Sequence, residues 1–253
     1  MKTKNKIGCF IISRTSSSRL PGKALLEIKG KPIIRHIIDR AKLVSSAEIV
    51  VLCTSTDKSD DVLESLARAS GIEIFRGSLG DVLERLLGAA QLFGVDYFAI
   101  HSGDNIFCDP TLMNLGIEQM INNNLDFINI PDDLVCGGAA YCISTRALKR
   151  ACQLKKDNNT EYYPKYFTAN KEFNVDNLKV DDSIYHNMNI RLTIDYPEDS
   201  EFARRVFDEF NTDINGVPLK KILELLKQKP EIERINFFRT KNWSDNQKNM
   251  KII

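Results

Sequence analysis

Short apolar runs rich in β-branched residues alternate with longer stretches of helical periodicity through the first half of the chain. Few folds satisfy that order besides a mostly parallel sheet covered by helices. Strands are expected over residues 7–13, 48–54, 73–75 and 97–101, and helices over 32–43, 59–69, 81–93 and 110–121. In the first of these helices Ile33, Ile34, Ile37 and Ile38 share one face, and Pro110 opens the last.

Beyond Phe127 the order is less regular. Strands are expected over 126–130 and 139–144, separated by the turn-rich PDDLVCGG, and a helix over 146–154. Residues 155–186 are polar and aromatic without sustained periodicity, as in a loop over a site or a segment that docks on another subunit. A strand is expected over 189–194, then a helix that starts at Pro197 with acidic residues in its first turn. The stretch NWSDNQKNMKII, from Trp243 onward, reads as a frayed polar tail over 243–253. Without repeats or a linker, residues 1–253 are expected to form a single domain, with 131–186 as a substrate-binding or dimerisation excursion.

The net charge of +1 gives no global field for nucleic acid or an anionic membrane, so any anion must be bound locally. The six cysteines are scattered, form no C-x-x-C pair and lie partly in apolar runs such as GCFII and VVLCTS. They read as reduced, buried thiols, and the three histidines (His36, His101, His186) as structural groups outside any zinc pattern. The opening MKTKNK-IGCFII has neither the length nor the cleavage site of a signal peptide, and no run approaches the ~20 apolar residues of a membrane span, so a cytoplasmic location is expected.

The chemistry concentrates at the ends of strands. The first strand runs into SRTSSSRLPGKAL, which places Arg14, three serines, Arg19, Gly22 and Lys23 where ligands bind in parallel sheets. Small residues let backbone N–H groups approach an anion, Gly22 permits an unusual backbone angle, and the three cations neutralise polyphosphate. A Walker A loop is excluded, because Ala24 follows Lys23 and Ser17 stands where the first glycine belongs; no G-x-G-x-x-G follows the strand either. Asp104, just past the fourth strand, suits Mg²⁺, which favours one or two carboxylates plus phosphate oxygens and waters. Asp109 before Pro110 reads as a helix N-cap. Asp195 ends the segment NIRLTID and serves equally well as a cap for the next helix or as the second metal ligand.

Four segments, SRTSSSRLPGKALLEIKGKPIIRHIIDRA, IEIFRGSLGDVLER, SGDNIFCDP and IRLTIDYPED, together resemble the sugar-nucleotide cytidylyltransferases of the acylneuraminate cytidylyltransferase superfamily. The branch most similar is the one named for spore coat polysaccharide biosynthesis protein F. In order and separation the segments cover most of the chain. The resemblance implies a Rossmann-like three-layer αβα nucleotidyltransferase, glycosyltransferase-A-like, with a mixed, mostly parallel central sheet and homodimeric assembly through the second half. It implies that Arg14, Ser18, Arg19 and Lys23 hold the nucleotide phosphates, with Arg14, Lys23 and Asp104 as the catalytic set, and that Asp104 and Asp195 bind magnesium. Ser55, Arg76, Asp81 and Arg85 are placed near the base, ribose or substrate. The implied reaction transfers CMP from CTP to a sugar acid or sugar phosphate, with release of pyrophosphate, for surface glycan synthesis.

The chain also departs from the family pattern. Ser13-Arg14-Thr15 replaces the usual Ala-Arg start of the loop, and Asn105, Ile106 and Phe107 follow Asp104 in place of a bulky hydrophobe and Cys-Pro. GGAAYCIS and TEYYPKYF stand where relatives present an acidic residue and an E-H-x-T-P-type segment to the sugar. The acceptor therefore stays open, as do guanylyl or other nucleotidyl transfer to an amino-sugar phosphate and a non-catalytic nucleotide-binding role.

Overall fold

The apolar run Ile7–Ile12 forms the central strand β1, and its side chains divide between two cores: Cys9 and Ile11 face one, Phe10 the other. The computed structural model describes residues 4–187 and 189–249. Its chain order is β1, a short hairpin of β2 (Glu27–Ile28) and β3 (Lys31–Pro32), α1 (Ile33–Ala41), β4 (Ile49–Ser55), α2 (Asp61–Ala69), β5 (Glu73–Gly77), α3 (Val82–Phe93), β6 (Tyr97–Ser102) and α4 (Pro110–Asn122). There follow β7 (Phe127–Asn129), β8 (Tyr141–Ser144), α5 (Thr145–Leu154), α6 (Pro164–Thr168), β9 (Val175–Asn177), α7 (Pro197–Asp208), α8 (Leu219–Gln228), α9 (Pro230–Phe237) and α10 (Thr240–Asn249).

Seven strands form one sheet in the order β5-β4-β1-β6-β8-β7-β9. Only β8 runs against its neighbours; the other described pairings within the sheet are parallel. One apolar layer, carrying residues of α1, α2, α4, α7 and α8, covers one face, and α3, α5 and α6 cover the other. Strands buried on both faces explain the near-continuous apolar runs of β1 and β4. The architecture is a mixed, mostly parallel sheet between two helical layers, the mostly parallel sheet as the alternation of elements indicated and the Rossmann-like αβα layering as the family resemblance implied.

Several local signals act as the sequence indicated. Asp109 caps α4, accepting from the Thr111 amide at 2.8 Å, and its second oxygen accepts from the Leu219 amide at 2.9 Å. His36 and His101 are buried and bonded to backbone or amide oxygens.

One expected strand is absent. Among the described residues, 189–194 make one bridge, Cys136 to Arg191, with the Leu192 amide on the Cys136 carbonyl and the Ile194 amide on the Asp104 carbonyl, both 2.9 Å. The alternation Ile190, Leu192, Ile194 suggested one buried face, but Arg191 and Thr193 between them are buried too. Among the described residues the segment has no ladder partner beyond that bridge. Elements the reading did not place are the β2–β3 hairpin, α6, β9, α8 and α9; α10 makes the expected tail helical as far as Asn249, and 250–253 lie outside the described residues.

The carboxyl ends of β1 and β6 meet where Gly103 donates its amide to the Ile12 carbonyl at 2.8 Å. A Cβ at Gly103 would lie 2.6 Å from Ser13 Cβ and 2.7 Å from that carbonyl. Gly103→Ala is therefore expected to destabilise the chain by about 1–3 kcal/mol through backbone displacement, measurable by denaturant unfolding. A second expectation concerns pH. Burial holds the His101 imidazole down from 6.5 to about 4, against the hydrogen bond to Asn105. The unfolded chain takes up that proton first, so this contribution to stability is complete above pH 6.5 and declines as pH falls toward 4. His101→Gln is expected to flatten the slope of unfolding free energy in that window by up to one proton.

Candidate active site

The loop after β1 is held from within and from below. The Ser17 and Gly22 amides both donate to the Thr15 carbonyl, at 3.0 and 3.1 Å, and Gly22 takes φ 71°, the left-handed geometry its sequence position suggested. Thr15 donates its amide and hydroxyl to Asp60 Oδ1, each at 2.8 Å. The other Asp60 oxygen accepts from the Thr54 hydroxyl and the Ser55 amide at the end of β4. Buried Asp60 thus ties the loop to the neighbouring strand end. Burial pushes its carboxyl up, but the bonds from Ser55, Thr15 and Thr54 outweigh that and leave it below the usual range.

The loop delivers Lys23 into a junction of three segments. Lys23 Nζ donates to Asp104 Oδ2 at 2.9 Å, to Asp195 Oδ1 at 2.8 Å and to the Ile194 carbonyl at 2.9 Å. Arg19 Nη2 donates to the same Asp195 oxygen at 2.8 Å. Burial alone would lower the Lys23 ammonium, yet the charges and hydrogen bonds of Asp104 and Asp195 prevail and raise it, so the group stays cationic. Asp195 is almost fully buried, whereas the Asp104 side chain keeps a quarter of its surface open at 25%.

Asp195 does not cap the following helix. That task falls to Asp199, whose Oδ2 accepts from the Asp195 and Tyr196 amides, both at 2.8 Å. Asp199 is held in turn by both terminal nitrogens of buried Arg191 and by Asn236 Nδ2 at 3.0 Å. The Asp195 carboxylate is left to face Lys23 and Arg19. On the Asp104 side, buried Arg40 donates to the carbonyls of Phe107, Cys108, Ile214, Asn215 and Val217, fixing the turn beyond Asp104 against the segment before α8.

Of the residues singled out in the sequence, Arg19, Lys23, Asp104 and Asp195 are in direct contact. Arg14 pairs elsewhere, with Glu161 at 2.6 Å, and Ser18 is exposed on the loop. The side chains of Ser55, Arg76 and Asp81 turn to the chain itself. The Ser55 hydroxyl bonds Asp60, and Arg76 reaches the Ser55 and Asp57 carbonyls, Asp61 and Glu64. Asp81 caps α3 and accepts from the Thr160 hydroxyl at 3.0 Å and from Lys155. Arg85 is buried, with Nη1 on the Ser78 and Leu79 carbonyls and Nε without a partner among the described residues. Burial holds its guanidinium below the usual range, and nearby Arg14 pushes the same way.

The residues that sequence reasoning missed are supports: Asp60, Glu161, Thr160 and Arg191. They work through contacts 45 or more residues away or through burial that their residue types do not announce, whereas Asp199 carried a local signal as an acidic residue entering the helix after Pro197.

Comparison with known proteins places this geometry in a family. Residues 9–239 match the cytidylyltransferase family. The chain is 25% identical over 235 residues to the spore coat polysaccharide biosynthesis protein SpsF of Bacillus subtilis, covering 90% of this chain and 96% of that protein. It is 39% identical over 123 residues to the 3-deoxy-manno-octulosonate cytidylyltransferase of Aeromonas salmonicida, covering 48% of this chain and 46% of that enzyme. The solved structure of a cytidylyltransferase from Leptospira borgpetersenii superposes with a TM-score of 0.83 at 23% identity, over 90% of this chain and 97% of that one. A match spanning nearly the whole chain, over a parallel sheet whose carboxyl edge carries this junction of cations and carboxylates, assigns the chain to the cytidylyltransferase family of nucleotidyltransferase enzymes.

Proposed function

We propose that the chain transfers CMP from CTP to an oxygen of a sugar acid or sugar phosphate and releases pyrophosphate, in the synthesis of a surface glycan. The observation that carries this reading is the Lys23 ammonium bound at once to Asp104 and Asp195, beside a loop that also supplies Arg14 and Arg19. The names of the Bacillus and Aeromonas relatives support polysaccharide synthesis and a sugar-acid acceptor.

In this reading Arg14, Arg19 and Lys23 bind the triphosphate, with Ser18 at the exposed rim of the loop. The acceptor oxygen attacks the α-phosphorus, a new P–O bond forms as the bond to the bridging oxygen breaks, and pyrophosphate leaves with the electron pair. Such a displacement needs position and charge neutralisation more than a protein nucleophile. Lys23, kept charged by its two carboxylates, is placed to follow the negative charge that develops on the leaving group.

Asp104 and Asp195 would hold a magnesium ion: both carboxylates accept from the one Lys23 ammonium and so lie within reach of a common cation, and the Asp104 side chain remains partly open. Among the described residues no group of three or more His, Cys, Asp or Glu side chains is arranged to hold a metal. An ion held by these two carboxylates would be completed by phosphate oxygens and water. When bound, Mg²⁺ would supply further neutralisation of phosphate charge. No described helix is long and apolar enough to cross a membrane, and we read the protein as a cytoplasmic homodimer, which sedimentation and fractionation would check.

The test is pyrophosphate release with Mg²⁺ from CTP, GTP, UTP or ATP, against ulosonic acids and sugar 1-phosphates. CTP with one acceptor is the expected pair, and Asp104→Ala or Lys23→Ala is expected to lower kcat by ~10²–10³ with the fold intact by circular dichroism. Removal of divalent ions with a chelator is expected to abolish release, and magnesium to restore it. Wild-type turnover in Asp104→Ala would overturn the role given to that residue, and release from GTP alone would replace cytidylyl by guanylyl transfer.

A further inference from the structure

Every cation of the phosphate loop is already neutralised by a carboxylate of the chain: Lys23 by Asp104 and Asp195, Arg19 by Asp195, and Arg14 by Glu161. The first two pairs share one junction, in which Lys23 stays between its carboxylates. The third differs. Among the described residues Glu161 has one ion pair, to Arg14, and it comes from the irregular segment beyond α5.

That pair is built from both sides. Arg14 lies between Ser13, whose amide reaches the Cys53 carbonyl at 3.4 Å, and Thr15, doubly bonded to Asp60. Glu161 follows Thr160, which is fully buried. The Thr160 amide donates to the Gly80 carbonyl at 3.1 Å, and its hydroxyl donates to Asp81 at 3.0 Å and accepts from the Leu83 amide at 3.0 Å. Lys155 adds a buried ion pair to the same Asp81. With both backbones pinned, carboxylate and guanidinium meet without either segment having to search for the other.

We propose that Glu161 is a positioning residue that occupies Arg14 in the resting site and is exchanged for nucleotide phosphate, so that phosphate entry releases the segment around residue 161 from the loop. The inference rests on the phosphate-binding reading of that loop. A polyphosphate reaching Arg14 offers several anionic oxygens against one carboxylate, and its charge repels Glu161 at the same time. Buried Arg85, whose charge bears on both partners, adds a fixed cation that does not leave. Because Thr160 stays clamped to Asp81, the displacement begins after it, at Glu161-Tyr162-Tyr163.

Calorimetric binding of inorganic tripolyphosphate to the full chain tests the exchange without an acceptor. Glu161→Gln removes the competitor and is expected to tighten binding about three- to fivefold, the scale of one partly exposed ion pair. Arg14→Gln weakens it, and Arg14→Gln/Glu161→Gln behaves as Arg14→Gln alone. Glu161→Asp, which keeps the charge, is expected to stay within about twofold of the wild type. In the unmodified protein, amide hydrogen exchange over residues 161–163 is expected to quicken when tripolyphosphate is added. A merely structural Glu161 would give weaker binding when altered, never tighter. Equal or weaker binding by Glu161→Gln, an effect undiminished without Arg14, or unchanged exchange over 161–163 would each overturn the proposal while leaving phosphate binding intact. Absence of binding by the wild type would overturn both this exchange and the nucleotidyl-transfer reading on which it rests.

Discussion

A single ammonium group between two carboxylates sets the terms for the rest of the structure. Lys23 follows β1, Asp104 follows β6 and Asp195 precedes α7, so their meeting fixes three remote segments at one point. Moving charges out of water is costly unless each finds a partner, and here the most buried group, Asp195, has two, Lys23 and Arg19, while Asp104 keeps part of its surface in water. The junction therefore ties the three segments together and still leaves a charged partner to Asp195 if Lys23 is removed. The Ile194 carbonyl, a further acceptor for Lys23, anchors the ammonium to backbone as well as to side chains.

Two buried arginines hold the carboxylates in place. Arg191 locks Asp199, which in turn holds the amides of Asp195 and Tyr196, so the backbone at Asp195 is set before its side chain is used. Arg40 gathers five backbone carbonyls from the turn beyond Asp104 and from the segment before α8. Its guanidinium is driven below its usual range by burial, with Asp109 the main opposing charge. The carbonyls accept the guanidinium's hydrogen bonds there, and buried Asp109 supplies the opposing charge.

The first-half strands and helices flanking the candidate site were legible in the sequence, as were the four residues of the Lys23 junction; most of their supports were not. β1, β4 and β6 announce themselves because strands covered on both faces have little choice but apolar residues. Asp109 and Pro110 mark the start of α4 because a capping carboxylate acts within two residues of its own position. Arg40 and Arg191 give no such notice, since arginine in an amphipathic helix or an alternating segment ordinarily faces water. The false strand over 189–194 has the same origin: alternation was read as one exposed face when Arg191 and Thr193 were turned into polar interior contacts. In α8 the signal was present, with Leu219, Ile222, Leu223 and Leu226 buried at helical spacing.

Residues 155–186 show why lack of periodicity is a poor guide to lack of structure. Thr160, Tyr163, Phe167, Phe173 and Leu178 are buried in the chain's own body, Phe167 stacks on Phe127 at 4.7 Å between ring centroids, and β9 extends the sheet beside β7. The anchors are single aromatic or hydroxyl side chains spaced irregularly, so no 3.6- or 2-residue pattern reports them. This arrangement divides the candidate site by construction. The loop cations and Asp104 stand at the ends of strands fixed by ladders, whereas Glu161 and its neighbours hang from a few point contacts. A change in the second group disturbs no ladder, so what this side of the site recognises is free to vary while the junction of Lys23, Asp104 and Asp195 is kept.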